Sequence, residues 1–62
     1  INLMTDDRVD IQIQDGGTWR TLITTSNNSQ IILNEMTNLK NRYPDKRVRA
    51  IDKNGRVVDM MG

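Results

Sequence analysis

Residues 9–25 read VDIQIQDGGTWRTLITT. In the first six, Val9, Ile11 and Ile13 alternate with Asp10, Gln12 and Gln14, and a strict period of two marks a strand with one buried face. Asp15-Gly16-Gly17 ends that run, and the stretch after it is rich in β-branched residues, so the two runs predict a β-hairpin. Two registers compete for it. With a three-residue loop and Gly17 in the left-handed conformation, Ile13 faces Trp19, Ile11 faces Thr21 and Val9 faces Ile23. This is the expected register, because it gathers the ring and the branched chains on the core face. A two-residue Gly16-Gly17 loop puts Leu22 inside and Trp19 outside, since a slip of one residue inverts the faces of a whole strand.

Downstream, SNNS at residues 26–29 offers several helix-capping side chains, and Asn27-x-x-Gln30 has the spacing of a capping box. Ile32, Leu33, Met36, Leu39 and Tyr43 then recur at helical spacing, while Asn34, Thr37, Asn38 and Asn41 lie off that stripe. Lys40 and Arg42 suit the negative end of the helix dipole, and Pro44 stops the helix at Tyr43.

The last third, KRVRAIDKNGRVVDMM at residues 46–61, repeats the hairpin logic. Asp52 can head a type I turn and Gly55 can take the left-handed position after it. In that register Val48 faces Met60, Ala50 faces Val58, and Arg49 stands across from Asp59 as a cross-strand ion pair. A two-residue Asn54-Gly55 turn is the competing register and inverts one strand.

The whole chain therefore reads as one domain over residues 1–62, of class α+β and order ββαββ. An antiparallel sheet of two hairpins carries one helix across one face. A single helix covers one face only. The other face is expected to show Leu22, Ile51 and Val57 among Arg20, Arg47, Arg49 and Asp59.

Composition narrows the function classes. At 62 residues the chain is near the size below which a core struggles to hold a fold, and only 35% of it is hydrophobic, with no Phe, one Trp and one Tyr. There is neither Cys nor His. Thiolate and imidazole metal sites, disulfides, the usual nucleophile pair and the usual general base are thereby excluded, so no catalytic residue, cofactor or metal is expected. Asp6, Asp7 and Asp10 lack the ligand spacing and turn glycine of a calcium loop. The glycines match neither phosphate-binding loop pattern. No apolar run approaches ~18 residues, so no membrane span is expected, and the N-terminal stretch lacks the layout of a signal peptide. The expected setting is the cytoplasm.

Charge is segregated along the chain. Residues 1–39 hold two basic and five acidic residues, net −3, and residues 40–62 hold seven basic and three acidic, net +4. Such asymmetry serves either an anionic partner or the solvation of an outward strand face.

An early Trp19, a helix closing in LKNRYP, and then V-R-x-x-D-x-x-G-x-V at Val48, Arg49, Asp52, Gly55 and Val57 together resemble a type of small ββαββ protein frequent in bacteriophage and prophage genomes. The helix departs from the usual Ala-rich and acidic pattern at Ile32, Asn34 and Thr37. The resemblance implies an accessory protein, and small phage proteins with known roles often bind and inhibit or redirect a host protein. It carries over no functional residue.

Two functions follow as expectations. The first is a non-enzymatic protein-interaction module whose partner is a host factor or a second copy, with Leu22, Arg47, Arg49, Ile51, Arg56 and Val57 as the contact residues. The second is a small nucleic-acid-binding protein that neutralises phosphates with the basic hairpin 46–56. Interleaved Asp45, Asp52 and Asp59, a pI near 8.4 and only two aromatic rings weigh against the second.

Overall fold

The computed structural model describes residues 7–62. Its elements are β1 (Arg8–Asp15), β2 (Thr18–Ser26), α1 (Ser29–Arg42), β3 (Val48–Asp52) and β4 (Val57–Met61), the expected ββαββ order. The strands form one antiparallel sheet in the order β2-β1-β3-β4. The two hairpins thus join through β1 and β3, which become the central strands.

That pairing places Ile11 against Ala50, Ile13 against Val48 and Val9 against Asp52. The apolar face of VDIQIQ meets the small apolar face of VRAID, and α1 lays Ile32, Met36 and Leu39 over both. Val9, Ile11, Met36, Val48 and Ala50 are almost wholly shut off from solvent. Edge strands contribute only partly buried side chains, Leu22 and Ile23 from β2 and Met61 from β4.

The helix begins one residue later than the sequence suggests. Asn27, just past β2, is still tied to the residue before β1, its N–H donating to Asp7 O at 2.7 Å, so Asn28 becomes the cap and its Oδ1 accepts from Gln30 N and Ile31 N at 3.0 Å. At the other end Tyr43 N donates to Leu39 O, and Pro44 follows. Ile32, Met36, Leu39 and Tyr43 face the sheet, while Leu33, one position round the helix, is 45% exposed.

Both hairpins depart from the expected register, for related reasons. In the first, Asp15 pairs with Thr18, so the loop is Gly16-Gly17, and Gly16 takes φ +67°. A positive φ at the first of two loop residues is what a twist-matched hairpin turn needs there. Trp19 consequently pairs with Gln14 on the face away from the helix. Leu22 is an extra residue, because Ile11 pairs with Ile23 and Gln12 with Thr21. This β-bulge lets Leu22 and Ile23 both lean on the core, which offsets the loss of Trp19 from it.

In the second hairpin the turn is the expected one. Asp52 Oδ1 accepts from Asn54 N and Arg56 N at 2.9 Å, Gly55 N donates to Asp52 O at 3.0 Å, and Gly55 has φ +83°. Beyond the turn a bulge at Val58 shifts the pairing by one. Val48 therefore pairs with Met61, Arg49 with Met60 and Ala50 with Asp59. The expected Arg49–Asp59 ion pair does not form, and Val58 and Met60 point to solvent instead of the core.

Two outcomes test this packing. Met36→Ala removes a fully buried side chain and leaves a cavity worth about 2–5 kcal/mol, against a total stability of about 3–9 kcal/mol for a domain of this length. Urea denaturation followed by far-UV circular dichroism should find the midpoint lowered by the equivalent of about 2–5 kcal/mol, a large fraction of the total. Asp52→Ala strips two backbone N–H groups of their acceptor and should lower the urea midpoint by the equivalent of about 1–2 kcal/mol, with Asp52→Asn losing clearly less.

Candidate functional site

With α1 on one side, no other described element lies over the opposite face of the sheet, and register decides what that face shows. Two rows of side chains cross it. One runs from Thr21 on β2 through Gln12 on β1 and Arg49 on β3 to Met60 on β4, and the next runs from Thr24 through Asp10 and Ile51 to Val57. The β2–β1 half is polar. The β3–β4 half combines arginines with exposed apolar groups.

The polar half is tied together by its own hydrogen bonds. Gln12 is the buried polar residue of the sheet, 8% exposed, and both ends of its amide are used. Its Nε2 donates to Thr21 Oγ1 at 3.0 Å, and its Oε1 accepts from Arg49 Nε at 2.7 Å. The Arg49 guanidinium also stacks over Trp19, 4.2 Å from the ring centroid. A hydrogen bond to a charged donor contributes about 1.5–3 kcal/mol and a cation–π contact about 0.5–2 kcal/mol, so the guanidinium is held in one place. In the next row Thr24 Oγ1 donates to Asp10 Oδ1 at 2.8 Å.

The other half has no such closure. Arg47 continues the line of Arg49 along β3, and its Nη2 lies 3.0 Å from Met60 Sδ. Met60 is also the cross-strand partner of Arg49, so the two arginines flank one thioether. Val57 and Met60 are 48% and 38% exposed, and Ile51 between the strands is half-buried. Among the described residues neither Arg47 nor Arg49 has a carboxylate within ion-pair distance. Among the described residues the ion pairs gather instead at Asp15, which meets Arg20 at 3.2 Å and Lys46 at 3.4 Å near the turn of the first hairpin.

Of the residues singled out from sequence, Arg47, Arg49, Ile51 and Val57 come together here. Leu22 does not, because the two-residue loop sets the register that turns it onto the core, and Arg56 sits in the turn opposite Asp52. Trp19, Gln12 and Met60 join the surface unannounced. The alternation VDIQIQ marks Gln12 as outward, and the two-residue loop marks Trp19 as outward, but nothing local signals the bulge that turns Met60 out.

A shallow hollow at the other end of the sheet is lined by Arg8, Asp10, Thr24, Asp52 and Lys53, a mixture of both charges. Among the described residues no group of three or more His, Cys, Asp or Glu side chains is placed to hold a metal ion, and no helix is long and apolar enough to cross a membrane. No protein-family model matches the sequence, and no curated protein or solved structure matches it.

Trp19 is the single tryptophan, so its emission reports directly on the Arg49 stack. Arg49→Ala should uncover the ring, raising acrylamide quenching and shifting the emission to the red, and Gln12→Leu should loosen the stack to a lesser degree. Quenching equal to that of the wild type in Arg49→Ala would contradict the stacked geometry.

Proposed function

We propose that the chain is a non-enzymatic protein-interaction module, an accessory protein of a phage or prophage. In this reading it works in the host-cell cytoplasm, where it occupies a surface of a host protein or of a second copy and so inhibits or redirects that partner. The observation that carries the proposal is the uncovered half-face on β3 and β4, where Ile51, Val57 and Met60 stand in contact with solvent beside Arg47 and Arg49. Exposed aliphatic and Met side chains with interspersed arginine, and no Lys, Glu or Asp among them, have the composition of an interface centre. In a chain with so small a core these side chains are better spent inside unless a partner covers them.

A non-enzymatic role is supported by the chemistry at hand. The half-buried acids of the sheet are occupied, Asp10 by Thr24, Asp15 by Arg20 and Lys46, and Asp52 by turn N–H groups. A nucleic-acid role for hairpin 46–56 draws on the same arginines but finds less support. Arg49 covers a face of Trp19, so that surface cannot stack a base, and Lys46 is turned to Asp15.

The test is affinity capture from host lysate with immobilised protein, read by quantitative mass spectrometry against the double variant Ile51→Asp/Val57→Asp. At least one protein should be retained by the wild type and depleted about tenfold or more by the variant, whose helix content is checked by circular dichroism. Equal retention of every captured protein by the two would remove the half-face from consideration as the docking surface.

A further inference from the structure

We infer that the occupant of this half-face is a separate protein segment that is acidic and extended, with two carboxylates and an apolar side chain on one side, and not a second copy of this chain. The inference rests on the interaction-module reading above and specifies the chemistry of its partner.

Charge supplies the first argument. Arg47 and Arg49 carry two positive charges on the open face with no carboxylate partner among the described residues, while the acids of the sheet other than Asp10, which stands beside Ile51, lie elsewhere. Asp52 pairs with Val9 and Asp59 with Ala50, both on the helix side, and Asp15 is held by Arg20 and Lys46. Asp10 is the acid in the open rows of the strands, and Thr24 already donates to it. Two copies stacked face to face by a two-fold axis through the patch would bring the arginines against each other. A heterologous acidic surface meets them instead.

Geometry supplies the second. With Nε bound to Gln12 and the plane stacked on Trp19, Arg49 has its orientation fixed, and its Nη edge makes no hydrogen bond within the described residues. A guanidinium so arranged offers two parallel donors to one carboxylate and loses little entropy on binding it. Arg49 and Ile51 are alternate residues of β3, and Arg47 just before it continues the line, its O accepting from Gln14 N at 2.9 Å, so the three stand at steps of about 7 Å. An extended segment presents side chains at the same step, so the matching pattern is acid-x-acid-x-apolar, with the apolar side chain settling on Ile51 and Val57.

The segment lies over the face and does not add a fifth strand to β4. Met60 N–H is already accepted by Asp59 Oδ1 at 2.8 Å, and the bulge at Val58 breaks the regular edge.

The probe is a capped synthetic peptide carrying Glu-Thr-Glu-Thr-Leu, titrated into the whole chain and followed by Trp19 emission and by amide chemical shifts. Controls are the Gln-Thr-Gln-Thr-Leu and Lys-Thr-Lys-Thr-Leu peptides and an oligothymidylate. The Glu peptide should bind about tenfold or more tightly than the Gln peptide, weaken as salt is raised, and shift the amides of residues 47–51 and 57–60. Arg49→Gln should lower its affinity about tenfold, and the exposed Arg47→Glu should reverse the preference toward the Lys peptide. Equal affinity for the Glu and Gln peptides would overturn the inference. So would preferential binding of the oligothymidylate, or a dimer in sedimentation that Ile51→Asp dissolves. If host capture depends on Ile51 and Val57 while the Glu peptide shows no preference, only the acidic chemistry fails. If capture is also insensitive to those residues, the docking surface itself fails.

Discussion

Ile11 and Ala50 face each other across the β1–β3 ladder, both without solvent exposure, and share one cluster with Met36 of the helix. This contact is the joint of the molecule. Each hairpin alone has only one other strand to bury its apolar row against, and a two-stranded hairpin is marginal in water. Joined through β1 and β3, the hairpins offer the helix a continuous floor of Val9, Ile11, Ile13, Val48 and Ala50. Ala50 matters because it is small. A larger side chain there would lift Met36 and Leu39 off the strands, and a core of eight buried apolar residues among those described has little to lose.

The joint also sets the edges. β2 and β4 lie on the outside of the sheet, and each carries one bulge, at Leu22 and at Val58. Bulges twist an edge strand and interrupt its repeat, which hinders pairing with another sheet. They have a second effect, on the faces. At Leu22 the extra residue turns side chains inward that the register would otherwise expose, and at Val58 it turns Met60 outward beside Arg49. One local device thus repairs the core on β2 and builds the open surface on β4.

Much of this was legible in the residues, and the failures share a cause. Strand alternation in VDIQIQ, the helix stop at Pro44 and the Asp52–Gly55 turn each depend on neighbours a few positions apart, so the order of elements and the second turn read correctly. Register depends on more. Gly16-Gly17 permits both loop lengths, and no residue type announces a bulge, so Trp19, Leu22 and the Arg49–Asp59 pairing came out on the wrong side or with the wrong partner. The bond between Arg49 and Gln12 spans 37 positions and exists only because β3 docks beside β1. Patterning therefore found Arg47, Arg49, Ile51 and Val57 as outward residues and could not find the glutamine and tryptophan that hold one of them still.

That support explains why the two halves of the open face differ. On β2 and β1 the polar side chains satisfy one another, Gln12 with Thr21 and Asp10 with Thr24, and nothing there calls for a ligand. On β3 and β4 the apolar groups have no cover and the arginines no counter-charge among the described residues. Arg49 belongs to both halves, since its Nε and guanidinium plane are used by the closed one, while its Nη groups make no hydrogen bond within the described residues and its cross-strand partner on β4 is Met60. An arginine on a mobile side chain gives up much of its binding energy to ordering, whereas one fixed by a buried amide and an indole does not. The polar half is then the rigid mount, and the thin core beneath it is enough because the mount is held by hydrogen bonds within the sheet and not by further hydrophobic bulk.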